Sequence, residues 1–297
     1  MLCGCVQWRA GLGRRLCMDE PLDKPPFGWQ PLTRRGVAAF APASVGKLLL
    51  VQFIVALLAA GALVWFLRGA WFSAIGEAIT RLPAQGAIRS GALDWPGEPA
   101  VKLAENHFLA LAVDLSHAGA VRSPAHLQVE FGRNDVELIS LGRFLRIPYR
   151  RDWPLMFNRT GLEPWWGAWG PALLALVAAL AVTGLMLSWS VLATLYCLPA
   201  WLAGFMANRA LTLGGSWRLA GAALMPGALL MTAAILAYGL GALDLIQLAV
   251  AAAVHIVLGW VYLIAGLLSL PRHPAAPTRP ANPFSEPVRP PGPDGGL

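Results

Sequence analysis

Apolar residues fall along this chain in four long runs, and ionisable residues are confined to the stretches between them. No Asp, Glu, Lys or Arg occurs from Leu48 to Leu67, from Pro164 to Asn208, from Leu219 to Leu243 or from Leu245 to Pro271. A helix of about 20 apolar residues covers the hydrocarbon core of a bilayer, and a charge at its centre costs roughly 2.5–3.5 kcal/mol. The runs therefore predict four transmembrane helices, over 46–68, 171–194, 219–240 and 245–269. The second run holds 45 residues. It reads as one span followed by a kinked, membrane-hugging continuation past Pro199, since proline removes a helical hydrogen bond. A fifth span with a turn near "SWS" (188–190) or at Pro199 is the alternative.

Between the first two spans the period changes. "WFSAIGEAITRLPA" (71–84) puts Phe72, Ile75, Ile79 and Leu82 on one helical stripe and predicts a short amphipathic helix stopped by Pro83. "GAIRSGALDWPGEP" reads as a short strand with turns. Strands follow at "HFLALAVDL" (107–115), "HLQVEF" (126–131), "VELISL" (136–141) and "RFLRIPY" (143–149). The fold class is an α-helical integral membrane protein of four transmembrane helices, with a small extracytoplasmic α+β domain, an antiparallel sheet, at 69–165. The helices after it occupy 166–270. Residues 1–45 form a Pro/Arg-rich cytoplasmic lead-in, with a short interfacial segment at "RRGVAAFAP". Met18 offers an alternative start, which would set residues 1–17 aside. The tail, 271–297, has nine prolines and reads as disordered.

Composition agrees with lipid as the solvent: 57% of residues are apolar and 13% charged, about half the charged share of an ordinary soluble domain. The first 47 residues carry seven Lys/Arg against three acids. Arg209 and Arg218 lie between the second and third spans, and Arg272, Arg279 and Arg289 in the tail. The positive-inside rule then places both termini in the cytoplasm. Region 69–170 balances ten acids with ten bases and does not bear on orientation. Trp65 and Trp71, with Trp165, Trp166 and Trp169, read as an outer aromatic belt. The Ala/Arg/Gly/Pro-rich composition points to a GC-rich bacterium and its inner membrane. The basic residues flank spans without interleaved aromatics, which excludes a nucleic-acid surface. The cysteines (Cys3, Cys5, Cys17, Cys197) leave the inserted domain without a disulfide framework.

Candidate chemistry is sparse. No nucleophile elbow, phosphate loop or dinucleotide fingerprint is present, so no catalytic or cofactor-binding residue is assigned. "ENHFLALAVDLSHAG" (105–119) gathers Glu105, His107, Asp114 and His117, with His126 just beyond. On a strand, His107 and Asp114 face opposite sides and His117 falls in the following turn. Polar ends on a half-buried strand is the expected reading. A zinc site from Glu105, His107, His117 and His126 needs loops to unite them, since no H-E-x-x-H or C-x-x-C spacing does so. Within the last span His255 is the notable polar group, with Thr183, Ser188, Ser190, Thr194 and Thr232 available as partners on other helices. An interhelical hydrogen bond is expected there, with proton or substrate handling as the functional alternative.

"ANRALTLGGSWRLAGAALMPGALLMTAAILAYG" (207–239) ends one span in Asn-Arg, turns at Gly-Gly-Ser-Trp and breaks the next helix at Pro226. Gly214 and Gly215 suit positive φ at a helix end, and Ser216 suits the cap of a helix beginning at Trp217. The pattern resembles the Yip (Rab-interacting) membrane superfamily. The four-span plan with a β-rich insertion resembles an uncharacterised bacterial family, the domain-of-unknown-function family 1189. The resemblance implies a noncatalytic integral membrane protein and carries over no active-site residue. The expected role is an accessory, scaffold or sensory factor that binds an envelope partner or ligand through the inserted domain. A small transporter or lipid-handling protein built on His255 and Pro226 is the alternative, and a metal-dependent hydrolase the third.

Overall fold

The computed structural model describes residues 30–152 and 154–272; the Pro-rich tail and most of the lead-in lie outside them. Among the described residues, four helices are long and apolar enough to cross a membrane: Val45–Thr80, Arg159–Met206, Leu213–Gly239 and Leu245–Leu268. A seven-stranded α+β domain sits between the first and second.

The lead-in is not merely interfacial. Thr33 accepts from the Gly36 amide and caps α1 (Arg34–Ala38), and Val37 and Phe40 are fully buried against the bundle. α2 (Val45–Leu67), capped by Ser44, runs through a π-helical turn at Arg68–Phe72 into α3 (Ser73–Thr80). α4 (Arg159–Met206) is capped by Asn158, whose Oδ1 accepts from the Gly161 amide. It passes residues 188–190 and Pro199 without a turn, so the 45-residue run holds one helix and no fifth span.

α5 (Leu213–Ala223) and α6 (Met225–Gly239) form the third apolar helix, interrupted at Leu224 with Pro226 in the first turn of α6. The expected cap at Ser216 is replaced by Thr212, which accepts from the Gly215 amide. The left-handed residue is Asn208 (φ 53°), and neither Gly214 nor Gly215 has positive φ. Starting the helix at Leu213 carries Ser216 into the interior, where it is fully buried and its hydroxyl donates to the Leu213 carbonyl. α7 (Leu245–Leu268) opens with a reciprocal capping box between Asp244 and Gln247.

In the sheet domain, β1 (Ala87–Arg89) and β2 (Ala92–Asp94) form a hairpin. β3 (Ala100–Glu105), β4 (Leu109–Asp114), β5 (Leu127–Phe131), β6 (Asp135–Ser140) and β7 (Arg143–Pro148) form one sheet in chain order. No strand is expected at β3, and the sheet is expected to be antiparallel. The sheet is mixed, because β4 and β5 run parallel. Their connection, residues 115–126, is a dozen residues long, as a crossover requires.

The two faces differ. Cross-strand rows Leu111–Val129–Leu138–Leu145 and Val113–Phe131–Val136–Ile147 define an apolar face. Its β3–β5 part packs on Ala74, Ala78, Ile79 and Leu82 of the α3 region, together with Phe157, Leu162 and Trp166. The other face carries the row Ala112–Glu130–Glu137–Arg146 and lies under the 115–126 crossover. β4 is consequently buried at all six positions, not half-buried. Of the expected aromatic belt, Trp71 and Trp166 serve this core, and Trp166 lies 4.7 Å from Phe72; Trp65, Trp165 and Trp169 stay exposed.

Candidate functional site

The histidines predicted from the 105–126 stretch separate into two places. His107 and His126 meet at one end of the sheet, with ring centroids 4.3 Å apart. His126 Nδ1 lies 2.7 Å from the hydroxyl of Tyr238, at the last turn of α6, and Phe108 packs edge-on against Phe66 and Tyr238. This end of the domain is bound to the helix bundle. Burial, and then the neighbouring His107, pull the His126 pKa below the ordinary histidine value.

A residue that the sequence reading passed over fastens the same junction. Asn106 Oδ1 accepts from the amides of Phe108 and Leu109, at 2.9 Å each, and Nδ2 donates to the Ala70 carbonyl at 2.5 Å. Ala70 belongs to the π-helical turn, where wide winding redirects backbone groups. The asparagine thus joins β4 to the continuous α2–α3 helix.

His117 lies apart, near Glu130, about 13 Å along β5 from His126 at the usual strand rise. It occupies a left-handed turn (φ 53°) at the start of the crossover. That turn is shaped by Asp114, which is buried and accepts from the Ser116 and Gly119 amides. Burial works against the Asp114 carboxylate, but the amide of Ala118, with the amide and hydroxyl of Ser116 and the amide of Gly119, outweighs it and lowers its pKa. Asp114 is therefore a turn-former and not a partner of His107.

Around His117 the sheet supplies three carboxylates. Nδ1 is 2.6 Å from Glu130 Oε1 and 3.3 Å from Glu137 Oε2, and Nε2 is 2.7 Å from Asp135 Oδ1. Glu130 is fully buried and Glu137 only 2% exposed. The outward oxygens are held elsewhere: Gln128 Nε2 donates to Glu130 Oε2 at 2.9 Å and Arg146 Nε to Glu137 Oε1 at 3.3 Å. Burial disfavours a charged His117, but Asp135 and Glu130 prevail and raise its pKa. Gly132 admits the ring, since a Cβ there would stand 2.2 Å from Nε2. The signal in the sequence was available: Gln128, Glu130 and Glu137 are the alternate polar positions of two strands, placed opposite a long crossover. They read as a solvent face because the crossover's path is not local information.

The bundle holds a separate cavity of about 390 Å³, lined by Ser188, Trp189, Thr232, His255 and Trp260 among others. His255 does not reach a neighbouring helix; its Nδ1 bonds the Ala252 carbonyl of its own helix. Ser188, Ser190, Thr194 and Thr232 likewise donate to carbonyls of their own helices. Hydrogen bonds between helices come from Gln52, 2% exposed, whose Nε2 donates to the Gly221 carbonyl at 3.1 Å, one turn before the Pro226 break, and from the Trp217 indole, which donates to Thr194 Oγ1 at 3.1 Å. Gly227 brings α6 so close to α7 that a Cβ would lie 2.6 Å from the His255 carbonyl oxygen.

A comparison of the chain with protein-family models, with curated proteins and with solved structures found no match in any of the three.

Proposed function

We propose that the chain is a nonenzymatic accessory protein of a bacterial inner membrane, with both termini cytoplasmic. Its sheet domain faces outward and docks an envelope protein through the β6–β7 half of its apolar face. One observation carries this reading. The apolar rows continue across β6 and β7, yet the α3 region covers them only as far as β5; Leu145 is 59% and Ile147 47% exposed, beside half-buried Val136 and Leu138. An apolar helix laid there extends the layer that α3 begins, and contiguous exposed apolar surface of this kind marks interaction sites. The orientation rests on charge. Arg218 donates to the Ala41 carbonyl and Arg209 to the Leu270 carbonyl, so these arginines gather with the lead-in and the start of the tail. The sheet domain lies at the other helix ends, and the positive-inside rule puts the basic end in the cytoplasm. A noncatalytic role is also what the resemblance to the domain-of-unknown-function family implies.

A photocrosslinking residue at Leu145, activated in native membranes, should give a discrete adduct with one heterologous protein. The same residue at Arg122, on the crossover, should not. Adducts only with lipid, only with a second copy of this chain, or equally from both positions reject the reading.

A transporter or lipid-handling role is favoured by the cavity beside His255 and Thr232. It requires that His255→Ala abolish flux in proteoliposomes with the fold intact; unchanged flux rejects it. Hydrolysis by His107, His117 and His126 together is not supported, because His117 lies apart from the other two.

A further inference from the structure

We infer that His117, Glu130 and Glu137 form a binding site for a first-row divalent cation of the zinc class, pinning the 115–126 crossover to the sheet. The hydrogen bonds around His117 point there. An imidazole Nδ1 carries at most one proton, and its short contact is with Glu130 Oε1, at 2.6 Å. Glu137 Oε2 faces the same nitrogen at 3.3 Å, is buried, and accepts no hydrogen bond. A carboxylate oxygen shut away from water without a donor is costly. A cation among the three atoms, which lie within 4.8 Å of one another, ligates all of them and removes that cost.

The surroundings are those of a ligand shell. Asp135 on Nε2 holds the ring so that the Nδ1 lone pair faces inward, as a carboxylate behind a metal-bound histidine does. Gln128 and Arg146 occupy the outer oxygens of Glu130 and Glu137, turning the inner ones toward His117. Three carboxylates stand against a single arginine and a histidine; with neutral imidazole, a divalent ion and Arg146 balance them. One imidazole and two carboxylates suit zinc or a neighbouring transition ion better than calcium, which takes oxygen ligands alone. Three protein ligands leave a coordination position for water. The site is independent of partner docking, which uses the opposite face of the sheet.

The test is zinc titration of the full-length protein in detergent, stripped with a chelator and freed of any purification tag. Cys3 and Cys5 are changed to serine, so that the Cys-x-Cys does not contribute. The expected result is one tightly bound ion per chain, with affinity reduced at least about 100-fold by Glu137→Gln or His117→Gln, beyond the loss from an outer-shell partner, and unchanged by His107→Ala. Zinc should also slow hydrogen exchange across 115–126, and cobalt in its place should give absorption bands of low-coordinate N/O ligation; both readouts use the parent protein and do not depend on the variants folding. No stoichiometric zinc, or zinc held equally well by folded Glu137→Gln and His117→Gln proteins, overturns the site and leaves an ion pair between His117 and its carboxylates.

Discussion

Asn106 offers a sharp test of how the sheet domain is fastened to the helices. Asn106→Ala removes two acceptor bonds within the turn before β4 and the donor bond to Ala70. At about 1 kcal/mol net per bond, the loss is about 3 kcal/mol. Asn106→Asp separates the two roles. Its carboxylate still accepts from Phe108 and Leu109 but has no hydrogen to give the Ala70 carbonyl, which it then faces with like polarity. The expected cost is smaller, about 1 kcal/mol, and confined to the tether. Native-state hydrogen exchange in lipid nanodiscs measures both as opening free energies. The alanine variant should expose the Phe108 and Leu109 amides, whereas the aspartate variant should keep them protected and loosen only the turn at Arg68–Phe72. A cost below about 0.5 kcal/mol for the alanine change, or identical patterns for the two variants, refutes the assignment.

Three further outcomes follow from the same geometry. Gly227→Val should destabilise the bundle by about 1–3 kcal/mol through overpacking against the His255 carbonyl, whereas Gly61→Ala, with open space at its Cβ, should leave thermal stability in detergent unchanged or raised. Gln52→Leu should cost about 0.6 kcal/mol, and at most about 1.7, as measured for hydrogen bonds between membrane helices, read as a lowered midpoint of unfolding. The junction of sheet and bundle should weaken in acid: the folded-state pKa of His126 lies below its ordinary 6.5, so its contribution is complete above that pH and is lost as pH falls from there through the folded value. Exchange at the Phe108 and Leu127 amides should quicken over that window, and His126→Phe should flatten the response. In the metal-stripped protein His117 has the opposite sign, with a contribution present below 6.5 and lost as pH rises through its raised value, so the two are told apart by the region that loosens.

The long helices were readable because ion-free runs leave few alternatives once lipid is the solvent, and the strands at 109–114, 127–131, 135–140 and 143–148 followed from alternation and turns. β3 escaped notice since "AVKLAE" follows a Pro/Gly-rich stretch and has one residue out of register with β4, between Lys102 and Ala104. The direction of β5 depends on where residues 115–126 travel, and only their length hinted at a crossover. That path also decides the fate of Glu130 and Glu137, which alternation assigns to water and the crossover buries. Asn106 was overshadowed by the charged residues on either side, although a short amide is the side chain that can close a turn and still donate outward. Gln52 was hidden by its own neutrality in a scan for charge. His255 stands out as a histidine within an apolar helix, yet it is satisfied within one turn of its own backbone.

α4 has one consequence for how the parts move. Its 48 residues make a rod about 72 Å long at the usual rise. Leu162 and Trp166 near one end are embedded in the sheet domain, and Ala200 near the other sits in the core beside the lead-in. A tilt imposed on the sheet domain by a docked protein is therefore carried along one helix to the far side, where the lead-in packs on the neighbouring α5 and α7.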